Sequence, residues 1–297
     1  MKQNPPKMTY KPEGDFLTRQ KDLRIHYRVY EPTYSTARAP VLCLHGLTRN
    51  ERDFEDLAPV IAETGRRVVA LSLRGRGQSD WDSNPEQYNL TTYLEDSLAL
   101  LDALEIGRAV LIGTSLGGII SMLMAVRSPA RLAGVVLNDI GPEINPEGVK
   151  RIRSYAGITK PVAHWSEAAG VCRQIFGCTF PNETGDAFWM SFAGKTFRVD
   201  ASSGRITPDY DPQITAGMAE TTDDPNRLWP LFGALASIPA LVIRGGISDI
   251  LTTATVEKMQ QAKPDLSFVS VPGVGHAPTL AEPAALSALH KFLECLV

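Results

Sequence analysis

The spacing of hydrophobic and polar positions along the chain predicts strands that alternate with helices. Short apolar runs, typical of buried parallel strands, recur at residues 40–44, 67–71, 108–112, 133–138, 239–244 and 266–271. Segments with helical spacing or uniformly apolar composition lie between or after them, at residues 54–64, 91–104, 119–126, 253–262 and 284–296. This alternation indicates an α/β fold in which helices cover both faces of a mostly parallel, doubly wound sheet.

The N-terminal part of the chain follows a different pattern. Residues 1–13 are polar and bear prolines, and we interpret them as a loose arm. Residues 14–30 contain two short runs around a polar turn at 20–22, and the second run alternates in polarity. That pattern predicts an antiparallel hairpin at the edge of the sheet, with His26 as a structural residue of its second strand.

One long segment interrupts the alternation. Residues 141–235 contain no clean strand and several helix-compatible pieces, so we predict a core of residues 1–140 and 236–297 with an inserted, mainly helical cap. The insert holds 11 of the 22 aromatic residues of the chain, including the three tryptophans Trp165, Trp189 and Trp229. An aromatic insert above a sheet suits an apolar substrate cavity, although packing onto the core would also recruit aromatic residues.

Composition narrows the possible partners. A net charge of −3 over 297 residues gives no electrostatic basis for binding nucleic acid or an anionic membrane surface. The sequence shows neither a secretory signal nor an apolar run long enough to span a membrane. The four cysteines are scattered without metal-ligand spacing, and Cys43 lies in a predicted buried strand, so we expect a reduced, cytoplasmic protein with no metal site.

The strand at 108–112 leads directly into Gly113-Thr114-Ser115-Leu116-Gly117, and a buried helix follows. A strand, a five-residue turn and a helix form the context in which Gly-x-Ser-x-Gly becomes a nucleophile elbow. The tight turn strains the serine backbone and leaves no room for side chains at Gly113 and Gly117. We therefore predict that Ser115 is a nucleophile lifted clear of the sheet, at the beginning of a helix. The pentapeptide alone would also fit a glycine-rich turn of no catalytic importance.

A serine hydroxyl needs a base, and the base needs a group that fixes its tautomer. His276 lies in a loop after the last strand, on the side of the sheet where the turn around Ser115 is expected. Two acids fit the order along the chain: Asp249 follows the penultimate strand, and Asp139 follows the strand after the elbow helix. We favour Asp249, whose loop can reach the histidine, and keep Asp139 as the alternative.

The loop His45-Gly46-Leu47 follows the strand at 40–44. An acyl-transfer intermediate carries an oxyanion that requires two preorganised N–H donors. We predict that the main-chain amides of Leu47 and Leu116 supply them. His45 is expected to shape this loop and to border the substrate pocket together with the three tryptophans of the insert.

In the order of these motifs, the chain resembles the α/β-hydrolases. The resemblance rests on the elbow, the His-Gly loop, the loop Arg74-Gly75-Arg76-Gly77, Asp249 and His276. It implies the α/β-hydrolase fold, with the insert at the position of the family's cap. Within the family, the chain is most similar to the branch of esterases, enol-lactonases, C–C bond hydrolases and cofactor-free perhydrolases. Relatives often carry an aspartate two residues before the Arg-Gly loop, where this chain has Ser72, a structural position.

We therefore expect a serine hydrolase that cleaves a carboxylic ester or lactone of a small, largely apolar molecule through an acyl-enzyme, without a cofactor. Cleavage of a C–C bond or perhydrolysis by the same residues is the alternative within enzymes. The alternative from another class is a receptor of the same fold that binds a small apolar ligand. Related haloalkane dehalogenases and epoxide hydrolases use an aspartate nucleophile, and Ser115 argues against both activities. The sequence contains neither a dinucleotide-type glycine motif nor a Gly-Lys-[Ser/Thr] loop, which argues against nucleotide binding.

Overall fold

The computed structural model describes residues 13–18, 23–34, 37–218 and 226–296. The strands in these ranges are β1 (Glu13–Leu17), β2 (Arg24–Tyr30), β3 (Val41–Leu44), β4 (Val68–Leu71), β5 (Ala109–Thr114), β6 (Leu132–Asn138), β7 (Phe197–Val199), β8 (Ile206–Pro208), β9 (Ala240–Gly245) and β10 (Ser267–Val271). The α-helices are α1 (Leu57–Ala62), α2 (Leu90–Ala103), α3 (Leu116–Arg127), α4 (Pro146–Arg153), α5 (Trp165–Phe176), α6 (Asp186–Thr196), α7 (Trp229–Gly233), α8 (Thr253–Ala262) and α9 (Pro283–Glu294). None of these helices is both long enough and apolar enough to cross a bilayer.

Eight strands form one sheet in the order β1-β2-β4-β3-β5-β6-β9-β10. β2 pairs antiparallel with β1 and with β4, and every other neighbouring pair is parallel. The mostly parallel sheet and the antiparallel hairpin at its edge are both confirmed. The predicted hairpin turn at 20–22 and residues 1–12 of the predicted arm lie outside the described residues.

The side chains of the central strands alternate between two apolar layers. Leu42 and Leu44 of β3 belong to the layer that packs against α2, α3 and α8. Val41 and Cys43 point to the opposite layer, which packs against α1 and α9. Because both faces of the sheet are covered by helices, the inner parallel strands β3, β4, β6 and β9 are buried along their whole length, as their continuous apolar composition predicts, whereas the edge strand β10 is largely exposed. Cys43 is fully buried there, as expected for a small apolar residue.

The chain between β6 and β9 contains α4 to α7 and a two-stranded antiparallel ribbon of β7 and β8. The expectation that this stretch contains no strand is therefore wrong. Each ribbon strand has only three residues, which is too short for alternation of apolar and polar positions to be recognised. The apolar faces of α5 and α6 pack against each other in a core of their own, which includes Phe176, Trp189 and Phe197.

The turn between β5 and α3 brings main-chain atoms very close together. Ser115 has φ 50° and ψ −111°, a strained conformation for a residue with a side chain. A Cβ added at Gly113 would overlap the main chain of Gly117, and one added at Gly117 would overlap the carbonyl of Leu44. Only glycine fits at these two positions, as the sequence predicts.

These contacts predict opposite effects of two helical Gly-to-Ala substitutions. Alanine normally stabilises a helix relative to glycine, so Gly170→Ala in α5, where a Cβ meets nothing within 4 Å, should raise the free energy of unfolding by up to about 1 kcal/mol. Gly117→Ala in α3 should lower it by about 1–3 kcal/mol because the methyl group collides with main-chain atoms that cannot move aside. Urea unfolding of the two variants measures both effects. Equal effects of the two substitutions would contradict the steric argument.

Candidate active site

Three side chains from different elements form a continuous chain of hydrogen bonds. Ser115 follows β5, Asp139 follows β6, and His276 lies in the loop after β10. The hydroxyl oxygen of Ser115 lies 3.1 Å from Nε2 of His276. Nδ1 of the same ring lies 2.8 Å from a carboxylate oxygen of Asp139. The structure thus brings together the predicted serine, the predicted histidine and the alternative acid.

The carboxylate of Asp139 is fully buried and is fixed by further donors. The main-chain N–H of Gly245 donates to Oδ1 at 2.7 Å, and the hydroxyl of Ser248 donates to Oδ2 at 2.5 Å. Ser248 is itself held by the N–H groups of Ile250 and Leu251, each 3.1 Å from its hydroxyl oxygen. Hydrogen bonds to both oxygens hold the carboxylate in one orientation toward the histidine.

Asp249 is not the acid that contacts His276, which corrects the preference drawn from the sequence. Its carboxylate accepts two hydrogen bonds from Arg151 of α4, at 2.5 and 2.9 Å. Partial burial acts to raise the pKa of Asp249, but the hydrogen bond and charge of Arg151 outweigh it and hold the pKa below its ordinary value. In the loop after β9, Ser248 donates to Asp139, and the next residue, Asp249, pairs with Arg151 of α4.

His45 organises the loop in which Leu47 lies. The ring is fully buried, with Nδ1 2.7 Å from the carbonyl oxygen of Gly46 and Nε2 3.0 Å from the main-chain nitrogen of Leu73. Because the N–H of Leu73 can only donate, Nε2 is the acceptor and Nδ1 carries the proton. Burial lowers the pKa of His45 to about 3, so the ring stays neutral at physiological pH. His45 does not line the cavity, so the expectation that it borders the substrate pocket is wrong. Its ring is buried between Gly46 and Leu73.

The two predicted oxyanion donors have main-chain N–H groups without acceptors. Neither Leu47 nor Leu116 donates its N–H to any residue in the described ranges. In a trans peptide the carbonyl and the N–H point in opposite directions. Since the carbonyl of Gly46 is fixed by His45, the N–H of Leu47 is held on the other side of that peptide. Arg76 fixes the next peptide, because its Nε donates to the carbonyl of Leu47 at 3.0 Å.

A cavity of about 520 Å³ lies over this group and is bordered by Ser115, His276 and Leu47. Most of its aromatic lining comes from the insert (Tyr155, Phe176, Phe180, Phe188 and Phe192), and Phe54 of the core adds one more ring. No three His, Cys, Asp or Glu side chains in the described part of the chain lie close enough together to hold a metal ion. The cavity therefore combines reactive polar groups with an aromatic wall.

The three tryptophans expected in the pocket lie elsewhere, which corrects that prediction. Trp189 is 2% exposed within the α5–α6 interface and donates its indole N–H to the carbonyl of Glu183 at 2.9 Å. Trp165 packs against the same apolar core. Trp229 packs against the core of the sheet domain, and its N–H lies 3.0 Å from a carboxylate oxygen of Glu143. The indole N–H groups of Trp189 and Trp229 are used in hydrogen bonds, and all three rings pack against apolar cores.

Several residues that shape the site were not recognised from the sequence. Phe188 and Phe192 are spaced four residues apart, which places both on one face of α6, and this spacing could have identified the cavity wall. Ser248 and Arg76 had no such signal, because a serine in a loop and an arginine in a glycine-rich loop have many ordinary roles. Only the folded chain brings them beside Asp139 and Leu47.

Comparison with known proteins identifies the family of the chain. Residues 41–289 match the model of the alpha/beta hydrolase family. A 3-hydroxybutyrate-oligomer hydrolase from Cupriavidus necator is 31% identical over 292 residues, which cover 96% of this chain and 99% of that protein. The chain belongs to the alpha/beta hydrolase family.

Two further comparisons extend over nearly the whole chain. A 2-(acetamidomethylene)succinate hydrolase from Mesorhizobium japonicum is 28% identical over 286 residues, covering 94% of this chain and 96% of that protein. The crystal structure of an alpha/beta hydrolase from Novosphingobium aromaticivorans is 43% identical with a TM-score of 0.88, and the match covers 96% of this chain and 98% of that one. The relatives are hydrolases with different named substrates, so the family leaves the substrate open.

The buried neutral His45 predicts a pH dependence of stability. Its pKa is about 3 in the folded protein and 6.5 in the reference state, so between these values the unfolded chain binds a proton that the folded chain does not. Stability should therefore fall with falling pH, by about 2 kcal/mol from this residue between pH 7 and pH 5. Urea unfolding measures the free energy of unfolding at both pH values. Its decrease from pH 7 to pH 5 should be about 2 kcal/mol smaller in His45→Gln than in the wild type. The same decrease in both proteins would mean that His45 is not held neutral.

Proposed function

We propose that this chain is a serine hydrolase that cleaves a carboxylic ester or lactone through an acyl-enzyme on Ser115. The observation that carries the proposal is the continuous hydrogen-bond chain from Ser115 through His276 to Asp139, beneath a cavity large enough for a small substrate. A neutral imidazole between a hydroxyl and a buried carboxylate is the arrangement that activates a serine. We assign Ser115 as the nucleophile, His276 as the general base, and Asp139 as the group that orients it.

In the first half of the reaction, the oxygen of Ser115 attacks the ester carbonyl carbon. Nε2 of His276 accepts the serine proton, and Asp139 stabilises the resulting imidazolium through Nδ1–H. The carbonyl oxygen becomes negatively charged and accepts hydrogen bonds from the main-chain N–H groups of Leu47 and Leu116. When the intermediate collapses, the ester C–O bond breaks, and His276 returns its proton to the departing alkoxide.

In the second half, water occupies the place of the alcohol. His276 removes a proton from the water as the water oxygen attacks the acyl carbon of the ester on Ser115. The same two N–H groups stabilise the second oxyanion, and the acid product leaves when Ser115 recovers its proton. The proton transfers use Ser115 and His276, which lie within hydrogen-bond distance of each other, and the steps as written require no cofactor.

Ester cleavage is supported over the alternative reactions by the substrate named for a curated relative. An oligomer of 3-hydroxybutyrate is joined by ester bonds, and the relative named for its hydrolysis matches this chain almost from end to end. The cavity volume of about 520 Å³ suits a small ester. The aromatic wall favours substrates with apolar portions beside the scissile bond.

A fluorophosphonate probe tests the assignment of the nucleophile. Wild-type protein should gain the mass of one phosphonyl group and lose hydrolysis of p-nitrophenyl butyrate in parallel, because both reactions need an activated serine. Ser115→Ala should neither be labelled nor turn over the ester, and Ser121→Ala, in the helix that follows Ser115, is the control that should do both. Intact-mass analysis and absorbance assays give the two readouts. Labelling of Ser115→Ala, or stoichiometric labelling without any turnover of activated esters, would contradict the proposal; the second result would favour a receptor.

Substitution of the two candidate acids tests the choice of Asp139. Asp139→Asn should reduce kcat by about 10⁴-fold because the amide no longer holds the productive tautomer of His276. Asp249→Asn should keep kcat within an order of magnitude of the wild-type value, since its carboxylate contacts Arg151 and not His276. Steady-state kinetics on p-nitrophenyl butyrate, with circular dichroism of each variant, makes the comparison. The reverse ranking would transfer the role to Asp249.

A further inference from the structure

Arg49 is a buried cation in the wall of the cavity, and the proposed reaction makes no use of it. Its side chain lines the cavity, and only 9% of the residue is exposed. A guanidinium removed from water is costly unless its charge and its N–H groups are matched. The groups around Arg49 therefore decide what it can bind.

The aliphatic part of the Arg49 side chain lies near the reacting serine. A Cβ placed on Gly46 would lie 3.7 Å from Cγ of Arg49 and 3.8 Å from Cβ of Ser115, so both side chains border the same point. The main-chain N–H of Arg49 also donates to the carbonyl of Gly46 at 3.2 Å, which ties it to the loop that carries Leu47. A group bound by Arg49 can therefore belong to the same small molecule that Ser115 attacks.

The guanidinium is held in place with part of its donor capacity unused. Nε and Nη2 donate to Asp53, at 3.0 and 2.5 Å, and Nη1 donates to Thr196. The ring of Phe192 packs against the guanidinium, with its centroid 4.4 Å from Cζ. A guanidinium has five N–H groups, so one N–H on each terminal nitrogen has no acceptor within the described ranges.

Tyr155 adds a neutral donor to this part of the wall. It lines the cavity, and its hydroxyl has no hydrogen-bond partner in the part of the chain that the structure describes. Burial raises the pKa of the phenol to about 12, although the nearby charges of Arg151 and Arg49 act to lower it. The hydroxyl therefore keeps its proton and can donate it to a ligand.

Two other charged groups of the wall already have partners. Lys195 pairs with Asp56 at 2.6 Å. One carboxylate oxygen of Glu282 accepts hydrogen bonds from the main-chain N–H and the hydroxyl of Thr279, at 2.8 and 2.9 Å, and its other oxygen has no hydrogen-bond partner within the described ranges. Arg49 and Tyr155 therefore keep donors that a ligand with acceptor oxygens would satisfy.

We propose that Arg49 and Tyr155 form a subsite for a carboxylate group of the substrate. The proposal rests on the proposed ester hydrolysis and narrows its substrate to an ester that carries a free carboxylate near the scissile bond. The planar fork of Arg49 matches the two oxygens of a carboxylate, and its fixed orientation reduces the entropy lost on binding. Asp53 balances the charge of Arg49, and the burial of the guanidinium strengthens its hydrogen bonds to an ionised ligand.

Two matched substrate pairs test the subsite. Mono-p-nitrophenyl glutarate and p-nitrophenyl pentanoate differ in a carboxylate on the acyl side. 3-Acetoxybutyrate and 3-acetoxybutyramide differ in a carboxylate on the alcohol side. The wild-type ratio of kcat/KM, charged over neutral, should exceed about tenfold in at least one pair, as expected for hydrogen bonds to an ionised group.

Three variants identify the residues responsible for the preference. Arg49→Gln should reduce the ratio by about ten- to a hundredfold, mainly through KM for the charged ester, and Tyr155→Phe by about two- to tenfold. Arg49→Gln leaves Asp53 without its partner, so the double variant Arg49→Gln/Asp53→Asn, which removes both charges, should show the same loss. Arg173→Gln is the control, because this arginine is a half-exposed residue of α5 outside the cavity and should keep the wild-type ratio.

The outcomes separate the subsite from the reaction. Equal kcat/KM within both pairs, or a ratio that Arg49→Gln and the double variant leave unchanged, would overturn the carboxylate subsite and leave the serine mechanism intact. Failure of the wild type to cleave any of the four substrates, while it still hydrolyses p-nitrophenyl butyrate, would also overturn the subsite alone. Cleavage of these substrates by Ser115→Ala would instead overturn the proposed function.

Discussion

The main chain at the turn after β5 packs so closely that side chains are excluded, and the geometry of the site depends on that packing. Gly117 lies against the carbonyl of Leu44, at the end of β3, and Gly113 lies against Gly117. Because strand and helix meet in so little space, Ser115 adopts a positive φ and α3 begins at the next residue. The same approach brings the loop after β3, with the N–H of Leu47, beside the serine. One steric constraint therefore sets the positions of the proposed nucleophile and both proposed oxyanion donors.

The loop after β9 shows how one segment can serve the site without supplying its acid. Ser248 donates to Asp139 and thereby fixes the carboxylate that orients His276. The neighbouring Asp249 binds Arg151 of α4 and attaches the inserted helices to the same loop. Of these two adjacent residues, Ser248 thus bonds to the acid that follows β6, and Asp249 bonds to a helix of the insert. β6 lies next to β9 in the sheet, and the carboxylate of Asp139 after β6 reaches His276. The loop after β9 therefore does not need to carry the acid.

The sequence predicts those features that depend on local order along the chain. The strands, the glycines of the elbow, and the positions of Ser115 and His276 follow from apolar runs and turn residues. The choice between Asp139 and Asp249 does not, because both follow neighbouring strands and only side-chain direction separates them. The tryptophans of the insert were misassigned for a related reason: composition shows that aromatic residues are concentrated there but cannot tell packing from lining.

The loop after β3 connects the chemistry of the site with the insert that covers it. Leu47 offers its N–H at the beginning of the loop, and Arg49, two residues later, donates to Thr196 at the end of α6. On the opposite side, Thr179 donates its hydroxyl to the carbonyl of His276 at 2.9 Å. The insert therefore contacts the loop after β3 and the loop that carries His276. A substrate that fills the cavity must contact the same residues that hold the reacting groups in place, so recognition and catalysis share one set of contacts.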